Sequence, residues 1–330
     1  MASITKRGPY QFQAQVRRKG YPTQQHTFET KREALAWAAT VESEMHRGVF
    51  VDRSEAERTT FGEALARYAI EVSPGKRGCE TERYRIRALL RHPLAARSLA
   101  SLRSVDFAKY RDDRLKRCGP DTVKRELVMI SHVFNTAIKD WSLAMSNPVA
   151  NIRKPKSSPH RERRLSAEEY TLLINEASES RATCLAFCIT LAIETGMRAG
   201  EIVPLCWSQI DLQRRIIRLK TSKNGEGRIV PLSERAEAAI RAQPRSISND
   251  RLTSFYDSRG LGAAFRRACK RAGIKGLRFH DLRHEAASRL APHMPVATLA
   301  KVMGWKTIQM AMYYYNPSAD ELVAAVRAAA

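Results

Sequence analysis

Near the middle of the chain, the run NIRKPKSSPHRERR over 151–164 cannot form a regular helix. Pro155 and Pro159 lack backbone donors and clash with a preceding helical turn. From Arg153 to Arg164 it holds six Lys and Arg against one acid, Glu162, so it cannot enter a core either. A chain of 330 residues has room for two or three domains of roughly 100–150 residues, and this stretch divides it. Residues 151–163 read as an extended basic linker. Its Arg153, Lys154, Lys156, Arg161 and Arg163 are spaced to follow a row of phosphates.

The two sides of the linker differ in periodicity. At the start, Tyr10, Phe12, Ala14 and Val16 alternate as one face of a strand, RRKG marks a turn, and a second extended stretch runs to Phe28. Thr30 and Glu33 form a capping box that opens a helix of about four turns, to near Arg47. Residues 1–50 are therefore expected to be a ββ(β)α module. Its cations Lys6, Arg7, Arg17, Arg18 and Lys19, with no acid before Glu29, leave two readings open: a basic sheet laid in a DNA groove, or a solvated hairpin. A polar link, 51–59, leads to a second capping box, Thr60 with Glu63. From there to about residue 150 the segments FGEALARYAIEV, ERYRIRALLRH, VDFAKYRDDRLKR and DTVKRELVMISHVFNTAIKDW are helical in pattern, with breaks at Pro74, Gly75, Pro93, Gly119 and Pro120. Residues 60–150 read as an all-helical domain. Arg83, Arg87 and Arg91 share one helical face, and Lys124 and Arg125 are further candidates for phosphate contacts.

A third capping box, Ser166 with Glu169, opens the last domain, 164–330. Its helical runs are interrupted by DLQRRIIRLKTSKNGEGRIVPL, two strands around the turn SKNGEG with Ile216, Ile217, Ile229 and Val230 apolar. The expected fold class is multidomain and mainly α with small β elements, the last domain being mixed α/β with a small antiparallel sheet.

Charge narrows the partners. The chain has 57 Lys and Arg against 34 Asp and Glu, a net +23, which points to a polyanion, nucleic acid first. At 43% hydrophobic residues it is no disordered basic tail. The most apolar run, Cys184 to Ile193, falls well short of the ~20 residues that span a bilayer, so no membrane partner is expected. The first residues lack the apolar region of a secretory signal. Six cysteines without a C-x-x-C pair read as reduced thiols in a cytoplasm.

Four segments of the last domain carry chemistry. In TGMRAGEI, Gly196 caps an apolar helix, so Arg198 and Glu201 stand where a new helix begins. Lys223 lies at a hairpin tip. FHDLRHEAASRL sets His280, Arg283 and His284 on one helical face. MGWKTIQMAMYYYNP carries Trp305 and the tyrosines 313–315. His280 and His284 share the spacing of the H-E-x-x-H zinc motif, but residue 281 is Asp and no third ligand stands at a suitable interval. No metal or other cofactor is expected.

In this order the segments resemble the motifs of the tyrosine recombinases, the phage integrase family: T-G-x-R-x-x-E, a hairpin lysine, H-x-x-R, and G-[HW] followed by a tyrosine. The resemblance covers 164–330. Residues 60–150 are similar in size and position to the family's core-binding domain, and 1–50 resemble its arm-type DNA-binding modules. It implies that Arg198 and Arg283 clamp the scissile phosphate, His280 handles a proton, and Lys223 protonates the leaving 5′-oxygen. Glu201 and His284 take supporting roles. Trp305 stands where most members have histidine, and an indole donates a hydrogen bond but moves no proton. The family's nucleophile lies ten positions past the glycine of the G-[HW] pair, which from Gly304 is Tyr314; Tyr313 and Tyr315 are left to packing. The implied chemistry is attack of Tyr314 on a phosphate, a 3′-phosphotyrosyl link, a free 5′-hydroxyl and a Holliday junction. One phosphodiester replaces another, so neither ATP nor metal is needed. The implied assembly is a clamp on DNA and a homotetramer in synapsis, with DNA-bending accessory proteins as further partners. The tail SADELVAAVRAAA would dock on a neighbouring protomer or on its own domain. A phage-type integrase is the reading the basic N-terminal module favours. An invertase or resolvase of the same chemistry is the alternative; a regulator that only binds DNA is the second, opposed by the complete residue set.

Overall fold

The computed structural model describes residues 2–159, 161, 163–219, 227–245, 249–315 and 326–327. The chain divides into two units, 1–159 and 160–330.

The first unit opens with three antiparallel strands in sequence order, β1 (Ala2–Gly8), β2 (Gln11–Val16) and β3 (Gln24–Phe28). Ala14 lies opposite Ile4 on one side and His26 on the other. Ala14 and Val16 are buried and meet Ala34, Ala38, Val41 and Met45 of α1 (Lys31–His46). Tyr10 departs from the expected alternation. It falls in the turn before β2 and is 79% exposed, because the chain reverses between Gly8 and Gln11 and the period-2 pattern begins only after the reversal. A second core follows, built by α2 (Ser54–Arg58), α3 (Phe61–Glu71), α4 (Cys79–Leu90), α5 (Ser104–Leu115) and α6 (Pro120–Lys139). Apolar residues at helical intervals along α6, Val123, Leu127, Ile130, Phe134 and Ala137, turn one face inward. There the ring of Phe134 stacks on Phe61 at 5.5 Å and meets Phe107 edge-on, also at 5.5 Å.

The second unit runs α7 (Ala167–Ser178), α8 (Leu185–Thr195), α9 (Ala199–Ile202), β4 (Ile210–Asp211), β5 (Ile216–Leu219), β6 (Arg228–Pro231), α10 (Glu234–Arg241), α11 (Ser258–Arg271), α12 (Asp281–Leu290), α13 (Val296–Met303) and α14 (Gln309–Met312). Eight of the eleven residues of α8 are buried, so it forms the axis on which α7, α9, α10, α11 and α12 pack. The two expected strands pair as β5 and β6, Ile217 opposite Val230, and β4 adds a third. A smaller core of Ala287, Leu299, Met303 and Ala311 supports Trp305 and Tyr314. The boxes at Thr30/Glu33, Thr60/Glu63 and Ser166/Glu169 all form. The six cysteines are free. Among the described residues no helix is long and apolar enough to cross a membrane. Lys223 and most of the tail lie outside the described residues.

Candidate active site

Two helix ends meet at the site. Helix α8 stops because Gly196 adopts φ 63°, the left-handed conformation that glycine takes without strain. A Cβ there would stand 2.6 Å from Met303 Sδ, so the same residue lets the ends of α8 and α13 approach. Two residues on, Arg198 caps α9: its backbone N–H donates to Glu201 Oε2 at 2.9 Å and its Nη1 to Oε1 at 3.0 Å. The T-G-x-R-x-x-E spacing is thus a helix stop, a helix start and an arginine held by its own carboxylate.

Arg283 ties the two ends together. It is 4% exposed, and its Nη1 donates to the Gly196 carbonyl and its Nη2 to that of Met303. Carbonyls at helix C-termini carry partial negative charge, which suits a cation in an otherwise costly position. Burial pushes the Arg283 guanidinium down to about 9, and the like charges of Arg198 and Arg228 add to the effect; Glu201 opposes it.

On the other side of Arg283 is an aromatic stack. Its guanidinium lies 5.6 Å from the Trp305 ring, and Trp305 stacks on Tyr314 at 5.4 Å with the planes 10° apart. The Tyr314 hydroxyl meets His284 Nδ1, the direction of the proton depending on the imidazole tautomer. The His280 ring is exposed and stands edge-on to His284 at 5.7 Å. Burial raises Tyr314 to about 12, with the Arg283 charge pulling the other way. Of its neighbours, Tyr313 is 44% exposed and Tyr315 donates to the Met294 carbonyl within the small core.

The structure therefore brings Arg198, Glu201, Arg283, His284, Trp305 and Tyr314 into one site and sets His280 at its rim. The sequence reading missed Arg228, whose side chain is 7% exposed and pairs with Glu201 at 2.8 Å. The signal was present: counting by twos from buried Val230 puts Arg228 on the inward side of β6.

The expected phosphate contacts divide in two. Arg17, Arg18 and Lys19 are exposed after β2, although Arg18 lies 3.3 Å from His46 Nδ1. Arg83, Arg87, Arg91, Arg153, Lys154 and Lys156 are exposed too. Lys124 bonds Ser157 and, with Arg125, lines a recess of about 450 Å³ that also holds Lys76 and Arg85. Arg161 and Arg163 are otherwise engaged: Arg161 donates to the Gly276 carbonyl at 2.6 Å and pairs with Asp281 at 3.1 Å, and Arg163 pairs with Glu169.

Residues 163–321 match the phage integrase family model. Among curated proteins, the chain is 36% identical to the shufflon-specific DNA recombinase of Escherichia coli over 276 residues, 81% of this chain and 71% of that protein. It is 34% identical to a putative integrase/recombinase of Haemophilus influenzae over 335 residues, 97% of this chain and 89% of that one. Among solved structures, a lambda integrase dimer bound to a COC′ core site shares the fold, with a TM-score of 0.69 and 22% identity over 95% of this chain and 94% of that one.

Proposed function

The chain belongs to the phage integrase family and is a site-specific tyrosine recombinase, a DNA strand-exchange enzyme; from that premise we propose that Tyr314 is its nucleophile. One observation carries the assignment: the Tyr314 hydroxyl meets His284 Nδ1 beside the buried Arg283. A phenol attacks well only when its proton has somewhere to go and its developing charge is met by cations. His284 and Arg283 supply both. Arg198 and Arg283 clamp the scissile phosphate, where planar donors match its oxygens. Trp305 holds the tyrosine ring flat, and His280 and Lys223 serve the proton on the leaving 5′-oxygen. Residues 1–50, 60–150 and 164–330 act as arm-type module, core-binding domain and catalytic domain.

DNA is the proposed partner, which the charge and the core-site-bound lambda integrase neighbour support. Two duplexes must be cut and rejoined, so four protomers act together. The N-terminal sheet favours an integrase that joins two different sites. A second reading, inversion within one replicon, is favoured by the 36% identity to the shufflon recombinase.

Wild type incubated with a library of nicked, labelled duplexes is expected to trap a protease-sensitive covalent adduct, and sequencing the trapped DNA defines the cleaved site. Tyr314→Phe should bind that DNA with unchanged affinity and trap none. An adduct with the Phe variant, or its loss only in Tyr313→Phe, overturns the assignment. Products from sites in direct and inverted repeat then separate integration and excision from inversion.

A further inference from the structure

Glu201 is held by two guanidiniums, those of Arg198 and Arg228. Its Oε1 accepts from Arg198 Nη1 at 3.0 Å, and its Oε2 accepts from the Arg198 backbone N–H at 2.9 Å and from Arg228 Nη2 at 2.8 Å. Arg228 reaches in from β6, donates its Nη1 to the Val302 carbonyl near the end of α13, and packs its stem where a Cβ on Gly304 would stand 2.6 Å from Cδ. Its Nε has no acceptor among the described residues. A buried and incompletely satisfied cation is poor material for stability: a whole buried ion pair can often be exchanged for apolar chains of similar volume without loss, whereas removing one partner strands the other charge. Its electrostatic effect is another matter. Arg198, Arg228 and Arg283 against Glu201 leave a surplus of two positive charges, and a phosphodiester carries one negative charge that grows in the transition state. Without Arg228, Glu201 would be balanced by Arg198 alone.

We propose that Arg228 is a positioning residue that takes up the charge of Glu201, so that Arg198 keeps its own charge for the scissile phosphate. The inference rests on the phosphate-clamp reading above. Burial works to raise the Glu201 carboxyl; the charge and hydrogen bond of Arg228 lead the influences that hold it below the ordinary range, ahead of the charge of Arg198. The arrangement also fixes geometry. One guanidinium holds the carboxylate that orients Arg198 and the helix end that presents Trp305.

The test uses the full-length chain on the nicked duplex defined by adduct sequencing, with single-turnover cleavage and DNA affinity measured separately. Arg228→Met should slow cleavage roughly 100-fold while affinity stays within about twofold. Arg228→Lys, which keeps the charge, should lie within about tenfold of wild type. The double variant Glu201→Gln with Arg228→Met should recover most of the loss, because it releases Arg198. A methylphosphonate at the scissile position, which removes one negative charge, should narrow the gap between wild type and Arg228→Met to about tenfold or less. Packing alone predicts the same deficit on both substrates and no gain in the double variant; either result, or wild-type cleavage by Arg228→Met, overturns the proposal. Should Arg228→Met fail to fold by circular dichroism, the Lys and double variants decide in the same way. Tyr314→Phe is run in parallel. An adduct from it removes the nucleophile assignment, whereas a normal contrast between it and wild type leaves any failure with Arg228.

Discussion

A phenol raised to about 12 is almost wholly protonated near neutral pH, so as the proposed nucleophile Tyr314 depends on whatever takes its proton. The structure puts His284 at the hydroxyl and His280 at the rim, although the family resemblance had assigned proton handling to His280. The two can be separated by pH. His284→Ala should slow cleavage by about 10²–10⁴-fold near neutrality. Below the tyrosine's own pKa, the ionised fraction grows tenfold with each unit of pH. Cleavage by the variant should therefore rise by about tenfold per unit toward pH 10, while wild type, already supplied with a base, rises less. DNA affinity should not change. A His284→Ala enzyme with wild-type rate at neutral pH, beside a His280→Ala enzyme with the steep profile, would return the role to His280. Counting from Gly304 selected Tyr314, and it is the Tyr314 hydroxyl that reaches an imidazole. What counting could not supply is which imidazole reaches the hydroxyl, because residues 280 and 284 share a face and the outcome rests on where α14 packs.

At the level of elements, α12 carries His284 and Arg283 toward the stack and two buried carboxylates toward the chain that enters the unit. Asp281, 4% exposed, takes Arg161, and Glu285, 3% exposed, takes Arg164 at 3.2 Å and Arg289 at 2.8 Å. Residues read from the sequence as free linker cations are thus partly committed to helix anchoring. Composition could not show this, since a basic run looks the same whether its carboxylate partners are near or distant in sequence. Capping boxes and apolar periodicity were legible for the opposite reason: they are satisfied within one or two turns. Burial works to raise Glu285, but hydrogen bonds from Arg164 and Arg289 hold it below the ordinary carboxylate value. A carboxylate whose folded pKa is depressed adds stability that is complete above its unfolded pKa and is lost as pH falls through the folded one. Glu285→Gln should therefore cost about 1–3 kcal/mol in denaturant melts at pH 7. The difference from wild type should begin to shrink below the ordinary carboxylate value of about 4.3 and close only once the pH has fallen through the lower folded value, where the wild-type carboxyl is itself neutral. A difference that persists undiminished in acid would mean the loss is one of packing rather than charge.

For the whole molecule, the surplus of +23 does not act as one field, because its members have different commitments. Arg161 and Arg163 are held by carboxylates of their own unit and Arg228 by Glu201 and the end of α13, while in the proposed clamp Arg198 and Arg283 serve a single phosphate. Arg153, Lys154 and Lys156 are exposed. Counterion release counts only the cations that meet phosphates, so the slope of log affinity against log salt measures that division directly. Six to ten such contacts would weaken binding by about 10³–10⁵ between 50 and 200 mM salt. Replacing Arg153, Lys154 and Lys156 together by alanine should reduce the slope by about three, at roughly 0.9 per contact, without lowering the melting temperature. Replacing Arg161 and Arg163 should do the reverse. The slope should move by less than about one, while the unit melts earlier because Asp281 is left buried without its partner. If both sets change the slope equally, the linker cations leave their carboxylates when DNA binds, and the ion pairs on α12 would then be exchanged for phosphate contacts as the enzyme engages its site.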